Sequence, residues 1–393
     1  MLFVSSDARP LRGGVARCLD GWLTGLSELG YRVGILSLLP PSIAGRGCGP
    51  ERPYQEWFIH NQQRRGSVVD AAPPLRKLRT AGFILLHHLR VRRRIASTLR
   101  LLRPVRVVVG YLDPDSPYVL RQAASIGAST AVVCYGTELR PAQVLRAPYL
   151  LTSIAAAGQI LSISRFTRDL VAGLPAEVSN PRVVSPSIAA ETERLARLDQ
   201  ISAPGSSSGL SLVTVARLVE RKGIQHTIEA LAILQQQGID ARLAVVGAGS
   251  FEGRLRCMAS ERGLTSHVTF LGPLDDEDAV AVVCGADVFV LTPFESEPGQ
   301  CEGYGIAYLE AGALRKPVIG TRSGGIPEAI LEHKTGLLAE PASPASIAGT
   351  IARLWESKEL GERLGAAGRQ WALAHSPRAA GGALAQALGM AAL

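Results

Sequence analysis

Short apolar runs alternate with helix-spaced apolar positions along most of the chain. In the first half, runs at 2–5, 31–38, 105–109, 130–134, 159–163 and 181–184 predict strands. The patterns between them predict helices over 15–29, 84–103, 115–126 and 165–173. Strands and helices in this alternation predict parallel sheets built from βαβ units. Residues 40–82, rich in Pro, Gly and Arg, break the rhythm and read as an irregular insertion or a mobile loop.

The rhythm stops at Ile201-Ser202-Ala203-Pro204-Gly205-Ser206-Ser207-Ser208-Gly209, a flexible-linker composition. It restarts at Leu210-Ser211-Leu212-Val213-Thr214-Val215. Further strands are predicted at 241–246, 267–270, 287–291 and 317–319, with helices at 223–237, 251–263, 275–284 and 304–314. Helical segments at 343–357 and 359–374 precede a tail. The predicted organisation is an N-terminal domain over 1–200, a linker over 201–209, a C-terminal domain over 210–375 and a tail over 376–393 that folds back on the first domain. A length of 393 residues also points to two domains. Two αβα domains of similar size joined by a linker predict a central cleft between them.

Composition narrows the class. A hydrophobic content of 47% with 19% charged residues is that of a globular chain. The six cysteines form no C-x-x-C pair, which argues for free thiols in a reducing compartment. The start of the chain, Leu2-Phe3-Val4, lacks the basic region and long apolar core of a signal peptide. No apolar run reaches the roughly 18 residues of a membrane span. These features predict a cytoplasmic protein.

The net charge of +8 is unevenly spread. Residues 64–106 carry twelve Arg/Lys against one acid, Asp70, so that segment is +11 and the rest of the chain −3. Val91, Ile95, Leu99 and Leu102 share one face of its predicted helix, while Arg93, Arg100 and Arg103 point elsewhere. Two readings stay open: a surface helix with solvated arginines, or a patch for the anionic inner face of a membrane or an anionic acceptor. Nucleic acid is disfavoured, because aromatics are 5% of the chain and none interleave with these arginines after Phe83.

The candidate chemistry lies mainly in the second half. Glu302-Gly303-Tyr304-Gly305-Ile306-Ala307-Tyr308-Leu309-Glu310 is a glycine-flanked turn opening into a helix, with a carboxylate at each end. A helix N-terminus suits a phosphate, and carboxylates accept hydrogen bonds from sugar hydroxyls. Arg217 and Lys222, in Arg217-Leu218-Val219-Glu220-Arg221-Lys222-Gly223, follow the first strand of the second domain and suit a diphosphate. Arg221 reads as a surface salt-bridging residue. Gly247-Ala248-Gly249 sits between strand and helix like a dinucleotide turn, but its spacing is off by one residue. It reads as a close-approach turn beside the ligand rather than an NAD site. Gly13-Gly14 offers a similar turn after the first strand. Ser323-Gly324-Gly325-Ile326-Pro327-Glu328 is either a ligand-lining loop or a structural turn. Zinc-spaced clusters and a catalytic triad are absent from the sequence.

Together these motifs resemble the retaining glycosyltransferases of the family 4 type, with the GT-B fold of two Rossmann-like αβα domains. Lys316-Pro317-Val318 and Ser162-Ile163-Ser164-Arg165-Phe166-Thr167 add to the resemblance. It is strong from 210 to 340 and thin before 200. It implies a hexosyltransferase in glycan, glycolipid or glycosylated-metabolite synthesis, with a nucleotide-diphosphate sugar of the UDP-sugar or GDP-mannose type in the C-terminal domain. The hydroxyl acceptor, lipid-linked or anionic, would sit in the N-terminal domain. Glu302 would then contact the donor sugar, Glu310 the ribose, and Arg217 and Lys222 the diphosphate, aided by amides of Gly303, Tyr304, Gly305 and Ile306. Leu271 would meet the base, and Gly14, Gly247 and Gly249 would border the donor. The resemblance implies neither a metal nor a cofactor. On the acceptor side, Tyr135 stands where the family usually has His, three residues before Glu138, and Ser185-Pro186-Ser187-Ile188 replaces the family's Asn-Gly turn. Those departures leave a catalytically silent nucleotide-sugar binder or assembly subunit as the alternative.

Overall fold

The computed structural model describes residues 1–7, 13–38, 53–58, 89–174, 180–197 and 209–391. It contains two parallel sheets, each in its own unit. One unit comprises Met1–Ile163, Arg168–Val184 and Ala380–Leu393; the other comprises Ser164–Thr167 and Ser185–Ala379.

The first sheet has seven strands: β1 (Leu2–Ser5), β2 (Gly34–Ser37), β3 (Gln55–Phe58), β4 (Arg106–Val109), β5 (Ser129–Cys134), β6 (Gln159–Ser162) and β7 (Arg182–Val183). Their spatial order is 3-2-1-4-5-6-7. Each strand pairs in parallel with its neighbour, for example Phe3 with Ile35 on one side and Val108 on the other. β1 and β2 are buried along their whole length, as parallel strands covered by helices on both faces must be. The helix Gly14–Glu28 buries Leu19, Trp22, Leu23 and Leu26. The helix at 89–102 packs Val91, Ile95 and Leu99 into the core around Val107 and Val109. The helix Pro377–Ala387 also contributes to this unit, where Gln159 donates to the Ala387 carbonyl at 2.8 Å and Tyr31 to the Ala391 carbonyl at 2.6 Å.

The second sheet has six strands: β8 (Leu210–Val215), β9 (Ala241–Val246), β10 (Val268–Gly272), β11 (Val288–Val290), β12 (Val318–Thr321) and β13 (Gly336–Ala339). Their order is 10-9-8-11-12-13, again parallel throughout. In both sheets the order reverses beside the first strand of the unit. Open α/β sheets bind ligands at the carboxyl ends of the strands flanking such a reversal. In the second sheet, those strands are β8 and β11.

Some elements differ from the sequence expectation. β3 lies inside the stretch read as an irregular insertion, and β13 was not expected. Neither were the helices Pro141–Arg146, Pro148–Ala156 and Ala190–Arg197. Two of these helices start with proline, which breaks a helix interior but fits its first turn, so the same residue reads as a stop or a start. The linker residues 201–208 and the basic positions Arg64, Arg65, Arg76, Lys77 and Arg79 lie outside the described residues.

Candidate active site

The loop after β8 is fastened to the end of β11. A short 3-10 turn, Glu220–Lys222, ends at Gly223, which has φ +72°. A Cβ at this position would strike the Thr292 carbonyl, so only glycine lets the two backbones come this close. Thr292 Oγ1 donates to the Gly223 carbonyl at 2.8 Å, and Phe294 N donates to the Arg221 carbonyl at 3.1 Å. The turn that carries Arg221 and Lys222 is therefore held from both sides.

The loop after β11 brings Glu302 to the same place. Lys222 Nζ lies 2.5 Å from Glu302 Oε2, and Arg221 Nη1 lies 3.3 Å from the same oxygen. The three side chains are 13%, 12% and 18% exposed, which puts the cluster beyond the strong screening of surface ion pairs. Both cations converge on Oε2, and Oε1 has no hydrogen-bond partner among the described residues. Burial alone would raise the Glu302 carboxyl, but Lys222 and Arg221 together hold it below its ordinary value. Burial pushes the Lys222 ammonium down, opposed by Glu302 and assisted by Arg221 and Arg217. The Arg217 side chain is exposed and makes no hydrogen bond or ion pair among the described residues, while its carbonyl accepts from Val219 N at 2.9 Å.

Arg221 is not the surface salt-bridging residue that the sequence suggests. Its charge is half of the cation pair on Glu302. The loop Ser323–Gly325 is likewise structural. Gly325 N donates to the Glu302 carbonyl at 2.8 Å, and a Cβ at Gly324 or Gly325 would strike the carbonyls of Glu302 or Gly303. These glycines form the bed on which the Glu302 loop rests.

Beyond Glu302, Gly303, Tyr304 and Gly305 lead into the helix Ile306–Ala313, whose N-terminus has no side-chain cap and no acid in its first turn. Its first amides have no acceptor within the helix and present partial positive charge. Tyr304 turns its side chain inward. Its hydroxyl lies 3.1 Å from His375 Nε2, and His375 Nδ1 donates to the Trp371 carbonyl at 2.9 Å. Burial pushes His375 below its ordinary value, which favours the neutral ring, and with Nδ1 donating to a carbonyl, Nε2 is placed to accept a hydrogen bond from the Tyr304 hydroxyl. Only the backbone of Tyr304 is available to a ligand. Glu310, half-buried, stands one turn beyond Ile306 on the same helix face.

Gly247 and Gly249 support the site from the next loop. A Cβ on either would strike the carbonyl of Ala216 or Leu218, the residues flanking Arg217. Leu271 is 39% exposed at the end of β10, next to Phe270, over which the Arg256 guanidinium stacks at 4.5 Å.

Gly14, Tyr135 and Glu138 belong to the other unit. Gly14 is exposed at the start of its helix, with open space where a Cβ would be. Tyr135 and Glu138 are buried in the loop after β5, and Glu138 Oε1 accepts from Tyr135 N at 2.5 Å. Burial raises the Glu138 carboxyl, opposed by the backbone hydrogen bonds of its own loop. Burial also pushes Tyr111 nearby up to about 12, with Glu138, Asp7, Tyr149 and Asp113 adding to the effect. The described residues contain no group of three or more His, Cys, Asp or Glu able to hold a metal ion. They also contain no helix long and apolar enough to cross a membrane.

Residues 206–371 match the family model described as glycosyl transferases group 1. A GDP-mannose-dependent alpha-(1-6)-phosphatidylinositol monomannoside mannosyltransferase of Mycobacterium tuberculosis is 28% identical over 382 residues, covering 95% of this chain and 94% of the relative. The protein of the same description from Mycolicibacterium smegmatis is 38% identical over 163 residues, 41% of this chain and 43% of that protein. Among solved structures, Anabaena HepE in complex with UDP and glucose superposes with a TM-score of 0.72 at 16% identity, covering 99% of this chain and 98% of that one. The chain is a GT-B glycosyltransferase related to the retaining family 4 enzymes that its motifs resemble. It is an enzyme that moves a sugar from a nucleotide-sugar donor to an acceptor.

Proposed function

We propose that the chain transfers mannose from GDP-mannose to a hydroxyl of a lipid-linked polyol, with retention of anomeric configuration. The observation that carries the donor site is the half-buried cluster of Lys222, Arg221 and Glu302 at the strand-order reversal of the second sheet. Lys222 and Arg217 neutralise the diphosphate, and the first amides of the helix Ile306–Ala313 bind its oxygens. Glu302 Oε1 accepts a hydrogen bond from a sugar hydroxyl, Glu310 one from the ribose, and the chain around Leu271 borders the base. The reaction then needs stabilisation of the departing diphosphate charge and a positioned acceptor on the same face. The leaving oxygen itself takes the acceptor proton. The acceptor is held by the first unit, where Tyr135 and Glu138 shape the loop after β5. The mannose and lipid assignments rest on the full-length relative from Mycobacterium tuberculosis.

A thermal-shift panel of GDP-mannose, UDP-glucose, ADP-glucose and dTDP-glucose tests the donor. A ligand that binds only the folded state raises the melting temperature by mass action. At 100 times its Kd the stabilisation is about 2.7 kcal/mol, a shift of several degrees for GDP-mannose. A shift with UDP-glucose alone would replace the base and the sugar, and no shift with any donor would remove the donor site.

The placement we propose is cytoplasmic, on the anionic inner face of a membrane. In the helix at 89–102, Arg90, Arg93, Arg94 and Arg100 are exposed on the side away from the buried Val91, Ile95 and Leu99. Leu101 and Val105 beside them are 81% and 84% exposed. Basic residues next to exposed apolar ones suit an anionic lipid surface, at about 1 kcal/mol per Arg. Sedimentation with phosphatidylglycerol vesicles is expected at low salt, to fall at about 0.5 M salt, and to be absent with phosphatidylcholine. Reversing Arg93, Arg94 and Arg100 to Glu should weaken it on the order of 100-fold. If the wild-type chain stays in the supernatant at low salt, the membrane placement is wrong.

A further inference from the structure

Arg221 and Lys222 are adjacent on one tight turn, yet both reach the same oxygen of Glu302. If Lys222 serves the donor diphosphate, as in the reading above on which this inference rests, it must turn part of its charge away from Glu302 when the donor arrives. A buried carboxylate that loses its partner is costly and takes up a proton. Arg221 is placed to prevent this. Its backbone is tied to Phe294, its side chain is 12% exposed, and a guanidinium holds its charge at any working pH.

We infer that Arg221 is a positioning residue that keeps Glu302 ionised and in place while Lys222 engages the donor diphosphate. The other titratable groups that feel Glu302 cannot take over this role. Tyr308 is a buried phenol that donates to the Leu291 carbonyl at 2.7 Å, and Cys301 is a thiol that burial pushes up to about 11. Both stay neutral and carry no positive charge. Arg217 acts on Lys222, with no ion pair to Glu302. An ionised, anchored Glu302 matters only where a sugar hydroxyl is held. Arg221 therefore contributes to turnover rather than to binding of the nucleotide.

The test is calorimetric titration of GDP and UDP into the full chain at mildly acidic pH, in two buffers of different ionisation enthalpy, together with turnover of the corresponding donors. R221Q is expected to bind the nucleotide within about threefold of wild type but to take up an additional proton on binding. The double variant R221Q/E302Q should return to the wild-type proton count. Donor turnover by R221Q should fall about tenfold, with the acid limb of kcat/KM moved to higher pH. Arg221→Met, which keeps the apolar stem, gives the same readouts where the Gln variant fails to fold. Equal proton counts in wild type and variants, or an equal loss of affinity for nucleotide and donor without a pH shift, overturn the role of Arg221 and leave the donor site standing. A wild-type chain that binds neither nucleotide removes the donor site and this inference with it.

Discussion

Lys222→Ala is expected to lower kcat/KM for sugar transfer by about three orders of magnitude. Lys222 is a single ammonium held by a fastened turn, 13% exposed, where charge on the leaving diphosphate would be neutralised in a low-dielectric setting. Arg217 lies nearby but is exposed, so solvent screens it more. Arg221 remains on Glu302 in the variant, so the carboxylate keeps a partner and the fold should survive with a change of about 1 kcal/mol. The pH profile gives a second readout. Burial pushes the Lys222 ammonium down, so it loses its proton below the ordinary lysine range as pH rises. The alkaline limb of wild-type kcat/KM should fall in that range, and Lys222→Arg should move the limb out of it. Undiminished turnover by Lys222→Ala in a folded protein would show that the diphosphate is neutralised elsewhere.

Much of the candidate site proposed for the donor is legible in the sequence because its residues lie close together in the chain. Glu302, Gly303, Gly305 and Glu310 fall within one turn-to-helix segment, and Arg217 and Lys222 within one loop. The pairing of those two segments could not be read, because 80 residues separate Lys222 from Glu302. The inward turn of Arg221 is illegible in the sequence for a related reason. A 3-10 turn of three residues has no apolar periodicity to say which side chain points inward. His375 offered no signal either, since its partner Tyr304 is 71 residues away. The sequence leaves the glycines at 324 and 325 as either ligand-lining or structural, and the atoms they approach, the carbonyls of Glu302 and Gly303, favour the structural reading. β3 was hidden because Gln55-Glu56-Trp57-Phe58 is short, half-polar and set among Pro and Gly. Strand order emerges only from pairing, and the reversal between β8 and β11 marks the place where the candidate site lies.

Glu302→Gln should separate binding from transfer. In the wild-type protein the carboxylate faces two half-buried cations, and its charge opposes an incoming diphosphate. The variant leaves Lys222 and Arg221 facing a neutral amide, an uncompensated pair of positive charges. The unliganded variant should be less stable by about 2 kcal/mol, lowering its melting temperature by roughly 6 °C. GDP or UDP supplies the missing anion, so nucleotide affinity should be retained or rise, and nucleotide should raise the melting temperature of the variant more than that of wild type. Transfer should nevertheless fall about 100-fold, because a charge-assisted hydrogen bond to the sugar, worth about 1.5–3 kcal/mol, is replaced by a neutral one. The opposed signs distinguish this from damage to the fold, which would weaken nucleotide binding and transfer together. If affinity and turnover drop in parallel, Glu302 only braces the two cations, and the sugar is held by other groups.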